Sequence, residues 1–460
     1  MSVGPLPPLV SELRAALPSA PPFWLVGGAV RDQLLGRRLH DFDFVTAGDG
    51  VALGRAVAAH LRADFYPLDV ERGVGRVLLT QDEERLTLDF ARMRGGSLTA
   101  DLAARDFTIN ALALDPAAPE TPIDPTGGLA DLRAKVIRQC GPQALSEDPV
   151  RAIRAVRLAV QLGFRLEPAT RAAVRAAAPA LPGVAAERRR DEFMRCLGGP
   201  KPAAALRNLA ALGLLGGLVP ELVTSGPGWE HTLATVQRLT DLLSVLAPVH
   251  DVDAASDLTL GLVSVRLGRH RAALGEHLQA PVSDERPARW LLVLAATLAT
   301  LDATTARDRL MALRLSTDEV RRVGTLLAGL PDLARLAGDL PVTGRAIYRY
   351  FRAHGPAGVE SVLFALADFL GGFVGAPPPE AWNERLDAAT ALLRGYFEAP
   401  AEAVNPPTLV TGDDLLAELD LRPGPRLGAL LEAVREAQAA GEVTDRPGAL
   451  ALARTLVAND

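Results

Sequence analysis

Asp41 and Asp43 stand two residues apart in the run HDFDFVT, residues 40–46. The run is aromatic and β-branched and reads as a strand. Side chains alternate across a strand, so both carboxylates face one side. Neighbouring carboxylates repel each other unless a cation lies between them. A pair of Mg2+ ions suits such a pair, with phosphate oxygens completing the coordination shells. Asp89, in the β-like run LTLDFARMR, is the candidate third carboxylate. Two such ions would lower the pKa of an attacking hydroxyl and brace a leaving phosphate group. A charged, solvent-facing strand edge is the better explanation of a bare aspartate pair, and a surface strand position also accounts for Asp89. The Gly27–Gly28 turn just upstream favours metal. In LVGGAVRD, residues 25–32, a strand enters a glycine turn and a helix follows. Glycines let backbone N–H groups approach an anion, and Arg31 adds a fork of donors for the same phosphates.

These residues need a sheet to hold them. FWLVGGAV, HDFDFVT, ADFYPLD, GVGRVLLT and ERLTLDFARM are short β-rich runs, and RDQLLGR and GDGVALGRAVAAHLRA read as helices between them. After Gly141 the apolar residues take helical spacing and no strand stands out. Breaks fall at 225–228, at 375–379 and in APAEAVNPP. The expected fold is α+β: a small head over 1–140 built on a mixed sheet, then all-helical segments over 141–200, 201–375 and 376–460.

Length and composition bound the rest. The 460 residues, 48% of them apolar, leave room for about three domains with sizeable cores. No long apolar stretch free of charge or proline predicts a transmembrane helix, and the N-terminus has no signal-peptide pattern. The two cysteines, Cys140 and Cys196, fit no metal spacing and read as thiols of a reducing compartment, so cytoplasm is the expected location. A net charge of −6 does not advertise a nucleic-acid binder, but a local basic surface is enough. Lys135 and Lys201 are the only lysines, so the positive charge is nearly all arginine.

Five segments, in order, resemble the motifs of the bacterial-type (class II) tRNA nucleotidyltransferases and their poly(A) polymerase relatives. They are GGAVRDQLLGRRLHDFDFVT (27–46), LAARDFTINALALDP (102–116), IDPTGGLADL (123–132), EDPVRAIRAVRLAVQLGF (147–164) and ERRRDEF (187–193). The resemblance implies a polymerase beta-like head and template-independent addition of C and/or A to the 3′ end of tRNA. It implies two Mg2+ ions, CTP and/or ATP as substrates, and release of pyrophosphate. Arg105 and Asp106 then contact the ribose of the incoming nucleotide. Asp148 and Arg151, at i and i+3 of one helix, read its Watson–Crick edge: a carboxylate accepts from an exocyclic amine and arginine donates to ring acceptors. Arg154 and Arg157 continue that face as triphosphate ligands. Glu187 and Arg188 support the reading helix, and Asp106 also suits a cap for a helix beginning FTINAL.

Two departures bear on specificity. Ala104 precedes Arg105–Asp106 where the family has a second arginine, which leaves one phosphate or ribose contact either missing or supplied elsewhere. The segment MRGGSLTAD, 93–101, is short where complete CCA-adding relatives carry a longer flexible loop. A short loop favours CC addition over complete CCA addition, and CC addition implies a second nucleotidyltransferase that finishes the end.

WEHTLATVQRLTDLL, 229–243, resembles the first helix of an HD-type phosphohydrolase, the alternative from a different class. Its His–Asp pair is replaced by Ala299 and Thr300, and His250–Asp251 falls in a loop-like context, so His231 reads as a remnant. The later helical segments resemble the body and tail that grip the acceptor and T arm of tRNA in the family. Arg345, Arg349 and Arg422 are candidates to meet its phosphates, although a solvated face explains each singly. A poly(A) polymerase is the remaining alternative within the family, weakened by the lack of a long basic C-terminal tail.

Overall fold

The alternation that puts both aspartates on one side of a strand is realised in a seven-stranded sheet of order β3-β4-β5-β2-β1-β6-β7. A computed structural model of the chain describes residues 8–81, 84–249, 258–283, 286–419 and 422–458. Helix α1 covers Pro8–Ala16, and β1 (Phe23–Val26) then leads through Gly27 into α2 (Gly28–Leu34). Strand β2 (Asp41–Thr46) is followed by α3 (Gly50–Leu61), β3 (Asp64–Asp69), β4 (Val74–Gln81) and β5 (Glu84–Arg92). Helix α4 (Leu98–Ala103) and strands β6 (Ala113–Asp115) and β7 (Ala118–Ile123) complete the sheet region.

Strands β2 and β5 run parallel, joined by a crossover in which α3 packs on β4 and β5. The other pairings of this seven-stranded sheet are antiparallel. The register sets Asp43 beside Asp89, and Asp89 beside Arg76 of β4. Phe42 and Phe44 alternate with the aspartates and are buried. Phe44 stacks on Phe90 at 4.9 Å between ring centroids and meets Phe23 edge-on at 5.9 Å. Burying each ring is worth roughly 1.5–3 kcal/mol, so this core anchors the strand that carries the aspartates.

Beyond the sheet lie α5 (Gly128–Ala134), α6 (Ala144–Glu147), α7 (Val150–Leu162), α8 (Pro168–Ala177) and α9 (Ala186–Leu197). Val150, Ala152, Ile153, Ala155, Val156 and Leu158 bury one face of α7, leaving Arg151, Arg154 and Arg157 on the other. Two short ladders interrupt the helical stretch where no strand was expected. Val136–Ile137 pairs with Arg165–Leu166, and Pro281–Ser283 pairs with Arg286–Pro287. Ladders of two or three residues are too short to show a period of two.

The chain divides into two compact units, residues 1–192 with 211–217, and 193–210 with 218–460. Among its described residues the second unit is helical apart from one short ladder. Helix Gly226–Val245 packs along Ala357–Gly371, and helix Ala288–Leu298 is buried along most of its length. Residues from Val410 onward close a separate small core around Leu415, Leu430, Val434 and Ala453. Among the described residues no helix is long and apolar enough to cross a membrane.

Candidate active site

Asp41 and Asp43 are both exposed on β2. Protein atoms crowding the Asp43 carboxyl push it up to about 6, with the charges of Asp89 and Asp41 adding to this against a partial offset from Arg105. A cation would relieve the repulsion that raises such a carboxylate, and hard oxygen donors side by side fit Mg2+. Asp89 is in register but engaged. Arg76 grips it through Nε and Nη2, each at 2.7 Å, and this bond raises the arginine further above its ordinary range. Among the described residues no group of three His, Cys, Asp or Glu side chains forms a ready metal site.

The glycine turn passes directly over this strand. Gly27 has φ 77°, a left-handed value that disfavours any side chain. A Cβ there would come within 2.9 Å of Arg105 Nη1 and 3.6 Å of Asp43 Oδ2. Arg31 does not present an empty fork. Its Nε and Nη2 donate to Asp32 at 3.0 and 2.7 Å, and its Nη1 donates to Asn110 Oδ1 at 2.6 Å.

Asp106 is buried and makes three contacts. Oδ1 accepts from Phe107 N at 2.7 Å and from Asn110 Nδ2 at 3.1 Å; Oδ2 accepts from Arg154 Nη1 at 3.1 Å. Burial opposes its ionisation, yet Arg154, Asn110 and the Phe107 N–H together hold it below the usual carboxylate range. FTINAL begins no α-helix: Thr108–Asn110 makes one 3-10 turn, and Asp106 braces it through the Phe107 N–H and the Asn110 side chain. Arg105 donates through Nε and Nη2 to Asp101 Oδ2 at 3.2 and 3.1 Å. Cys140 lies nearby, and burial pushes its thiol up to about 12.

Asp148 is not on the helix with Arg151. It sits in the turn between α6 and α7 with φ −141° and ψ 89°, because a residue before proline, here Pro149, is driven out of helical conformation. The pair is nevertheless adjacent, Arg151 Nε standing 3.6 Å from Asp148 Oδ2. Arg188 Nη2 donates to the same oxygen at 2.8 Å. Arg151 also donates to the Ala144 carbonyl at 3.2 Å and reaches the Ala104 carbonyl at 3.5 Å. Arg154 and Arg157 converge on Glu192, with Nε bonds of 2.9 Å to its two oxygens.

One cavity of about 360 Å³ gathers these groups. Gly27, Gly28, Arg31, Asp43, Arg105, Asp106, Asp148, Arg151, Arg154 and Arg157 line it. Asp41 and Asp89 lie beside Asp43 in the sheet but outside the lining. Arg94 and Asn110 line the cavity without having been singled out, and Asp101 and Glu192 brace its arginines from behind. Asn110 lies inside the segment 102–116, and Arg94 inside the short 93–101 segment.

In the helical unit, His231 Nε2 lies 2.8 Å from Asp368 Oδ1. Ala299 and Thr300 stand in place of a His–Asp pair, and among the described residues no group of three His, Cys, Asp or Glu forms around the two. His250 and Asp251 fall outside the described residues. Arg345 and Arg349 are ion-paired with Glu442 and Glu436, whereas Arg422 is exposed.

Comparison with known proteins bears on this geometry. Residues 23–138 match the family model of the poly A polymerase head domain, and residues 163–224 match that of the probable RNA and SrmB-binding site of polymerase A. The chain is 34% identical to a CC-adding tRNA nucleotidyltransferase of Geobacter sulfurreducens, across 96% of this chain and 93% of the relative. It is 33% identical to an A-adding tRNA nucleotidyltransferase of Deinococcus radiodurans, across 94% of each. A solved CCA-adding enzyme complexed with ATP shares the fold at TM-score 0.68 and 20% identity, across 98% of this chain and 94% of the other. Overall identity therefore does not choose among added nucleotides.

Proposed function

The chain belongs to the family of tRNA nucleotidyltransferases with a poly(A) polymerase head, and from that premise we propose that it adds two C residues to the 3′ end of tRNA. The observation that carries the site assignment is the convergence of residues from three separated motifs on one cavity lined by Asp43. CTP is the substrate, with its base edge at Asp148 and Arg151, its ribose at Arg105 and Asp106, and its phosphates toward Arg154, Arg157 and the Gly27–Gly28 turn.

The tRNA 3′-hydroxyl attacks the α-phosphorus, a new P–O bond forms, and pyrophosphate leaves with the bonding pair. Two Mg2+ ions held by Asp41 and Asp43 would supply positive charge to the attacking and departing oxygens. Asp89 acts in the same face of the sheet if Arg76 releases it. The chain's own contribution is orientation: arginines fixed in advance by buried acids align the triphosphate before reaction. In this assignment residues 1–140 are the catalytic head, 141–200 the neck that reads the nucleotide, 201–375 the body, and 376–460 the tail that grips the acceptor and T arm. A second nucleotidyltransferase in the cytoplasm would add the terminal A.

Support for stopping after two additions comes from residues 93–97, the short connection from β5 to α4. It holds one 3-10 turn, and Arg94 within it is tied to Asp101. Such a connection has little length with which to reshape the pocket for a purine.

Three tRNA transcripts test the proposal: one ending before the CCA, one after its first C and one after CC. Each receives labelled CTP or ATP alone, then both. Incorporation of CTP only, ending at CC, is expected, and Asp43→Ala should abolish it. ATP incorporation onto the CC-ended transcript would sink CC specificity, while transfer surviving in Asp43→Ala would sink the site.

A further inference from the structure

Asp101 belongs to none of the five motif segments, yet it organises two walls of the cavity. Its side chain is only 2% exposed. Oδ1 accepts from Arg94 N at 3.1 Å and Arg94 Nε at 3.0 Å. Oδ2 accepts from Arg105 Nε at 3.2 Å and Arg105 Nη2 at 3.1 Å. Four donors thus saturate one carboxylate. Despite burial, Arg105 and the Arg94 N–H hold it below its ordinary range, so it carries a full charge to both arginines. Arg94 lies in the short connection after β5, and Arg105 in the ribose motif after α4; both line the cavity.

The consequence for selection is geometric. A pocket tells a pyrimidine from a purine by size only if its two ends stay a fixed distance apart. Arg151, at the base-reading end, reaches the Ala104 carbonyl at 3.5 Å. Arg105, next in the chain, fixes the ribose end. Both therefore depend on the backbone of residues 101–105, which Asp101 ties to the 93–97 connection. A purine is wider than cytosine by a fused five-membered ring, and this clamp leaves the reading pair no room to retreat.

We infer that Asp101 is a positioning residue that clamps Arg94 to Arg105 and thereby enforces CTP over ATP. The inference rests on the assignment of this cavity to the nucleotide and of the chain to CC addition. It assigns the selection to a buried carboxylate that never touches the substrate.

Steady-state incorporation of CTP and of ATP is to be measured for Asp101→Asn on the transcripts ending before the CCA and after CC. Asparagine keeps the shape but loses the charge and cannot accept from both arginines as strongly. Losing charge-assisted bonds of this kind corresponds to about tenfold or more in binding. The KM for CTP should rise about tenfold with kcat changed less than about threefold, and the CTP-to-ATP preference should fall by about as much. Asp101→Glu, which restores the charge, should recover most of the CTP KM. An unchanged preference and KM in a variant that melts like the wild type would overturn the inference. If Asp101→Asn does not fold, Arg94→Ala serves instead, because it leaves Asp101 paired with Arg105. It should lower the preference in the same direction, and an unchanged preference there also overturns the clamp. Asp43→Ala runs alongside: transfer surviving in it would remove the nucleotide assignment itself, and the clamp with it, whereas loss there with unchanged preference in both clamp variants removes the clamp alone.

Discussion

Glu192 offers the sharpest test of how the reading helix is held. Its side chain is 3% exposed and receives Arg154 on one oxygen and Arg157 on the other, at 2.8–2.9 Å. The two arginines are 32% and 20% exposed, so the acid is dry while its partners still meet some water. Removing one partner of a buried pair costs roughly 3–5 kcal/mol because the remaining charge is left uncompensated. Arg154 keeps Asp106 at 3.1 Å, and solvent reaches both guanidinium groups, which places Glu192→Ala at the lower end, about 3 kcal/mol. For a unit of this size each kcal/mol moves Tm by about 2–4 °C, so the variant should melt about 6–12 °C below the wild type. Glu192→Gln keeps the shape and one acceptor oxygen but loses the charge and turns an amide NH2 toward the other guanidinium, for a loss of about 1–3 kcal/mol. Scanning fluorimetry reads both, and equilibrium titration with CTP should show weaker binding in each, since Arg154 and Arg157 line the cavity. Arg188→Ala is the contrast. Its pair with Asp148 is half exposed on the arginine side and is worth less than about 1 kcal/mol. If Glu192→Ala melts within about 2 °C of the wild type, the network is no stronger than a surface ion pair and the reasoning fails.

Two further outcomes follow from the charge layout. Because its partners depress Asp106, its contribution to stability is present above the ordinary carboxylate value of 3.8 and is lost as pH falls through the lower folded value. Asp106→Asn should therefore be less stable at pH 7 and show a shallower acid limb, read as urea midpoint against pH; parallel curves would contradict this. In the helical unit, Arg345, Arg349 and Arg352 on helix Gly344–His354 pair with Glu442, Glu436 and Glu432. These pairs are largely exposed and screened by salt. Hydrogen exchange over Pro425–Ala439 should accelerate between low salt and about 1 M, while the apolar contact of Gly226–Val245 with Ala357–Gly371 stays protected; equal response in both would refute the electrostatic account.

What could be seen in the sequence was whatever a short period enforces. Asp41 and Asp43 alternate with Phe42 and Phe44, so a strand with a polar and an apolar face was legible before any fold. Arg151, Arg154 and Arg157 recur every three residues, which left their helix a clean apolar side. Where a local rule competed with the pattern, the pattern lost: Pro149 excluded Asp148 from the helix that spacing assigned to it. Arg76 facing Asp89 could not be read, because it depends on the register of β4 against β5 and no short window contains both. Glu192 was equally hidden. It lies in the ERRRDEF segment, 187–193, but its partners are arginines 35 and 38 positions earlier, and the segment alone does not show that pairing.

The same pairings explain how a chain of net charge −6 can be suited to a triphosphate. The cavity arginines whose partners are described meet acids: Arg31 with Asp32, Arg94 and Arg105 with Asp101, Arg154 and Arg157 with Glu192. A site of this kind does not attract nucleotide through bulk positive potential. It holds guanidinium groups in fixed directions, so that little reorganisation remains when phosphate arrives. The acids lower the net attraction but supply the rigidity, and rigidity is what a protein that selects a base without a template strand must provide. On the proposed assignment, discrimination by Asp148 and Arg151 is only as good as the fixity of the arginines at the other end of the nucleotide. That is why the buried carboxylates behind the cavity, rather than the groups facing it, are where changes in specificity are expected to arise.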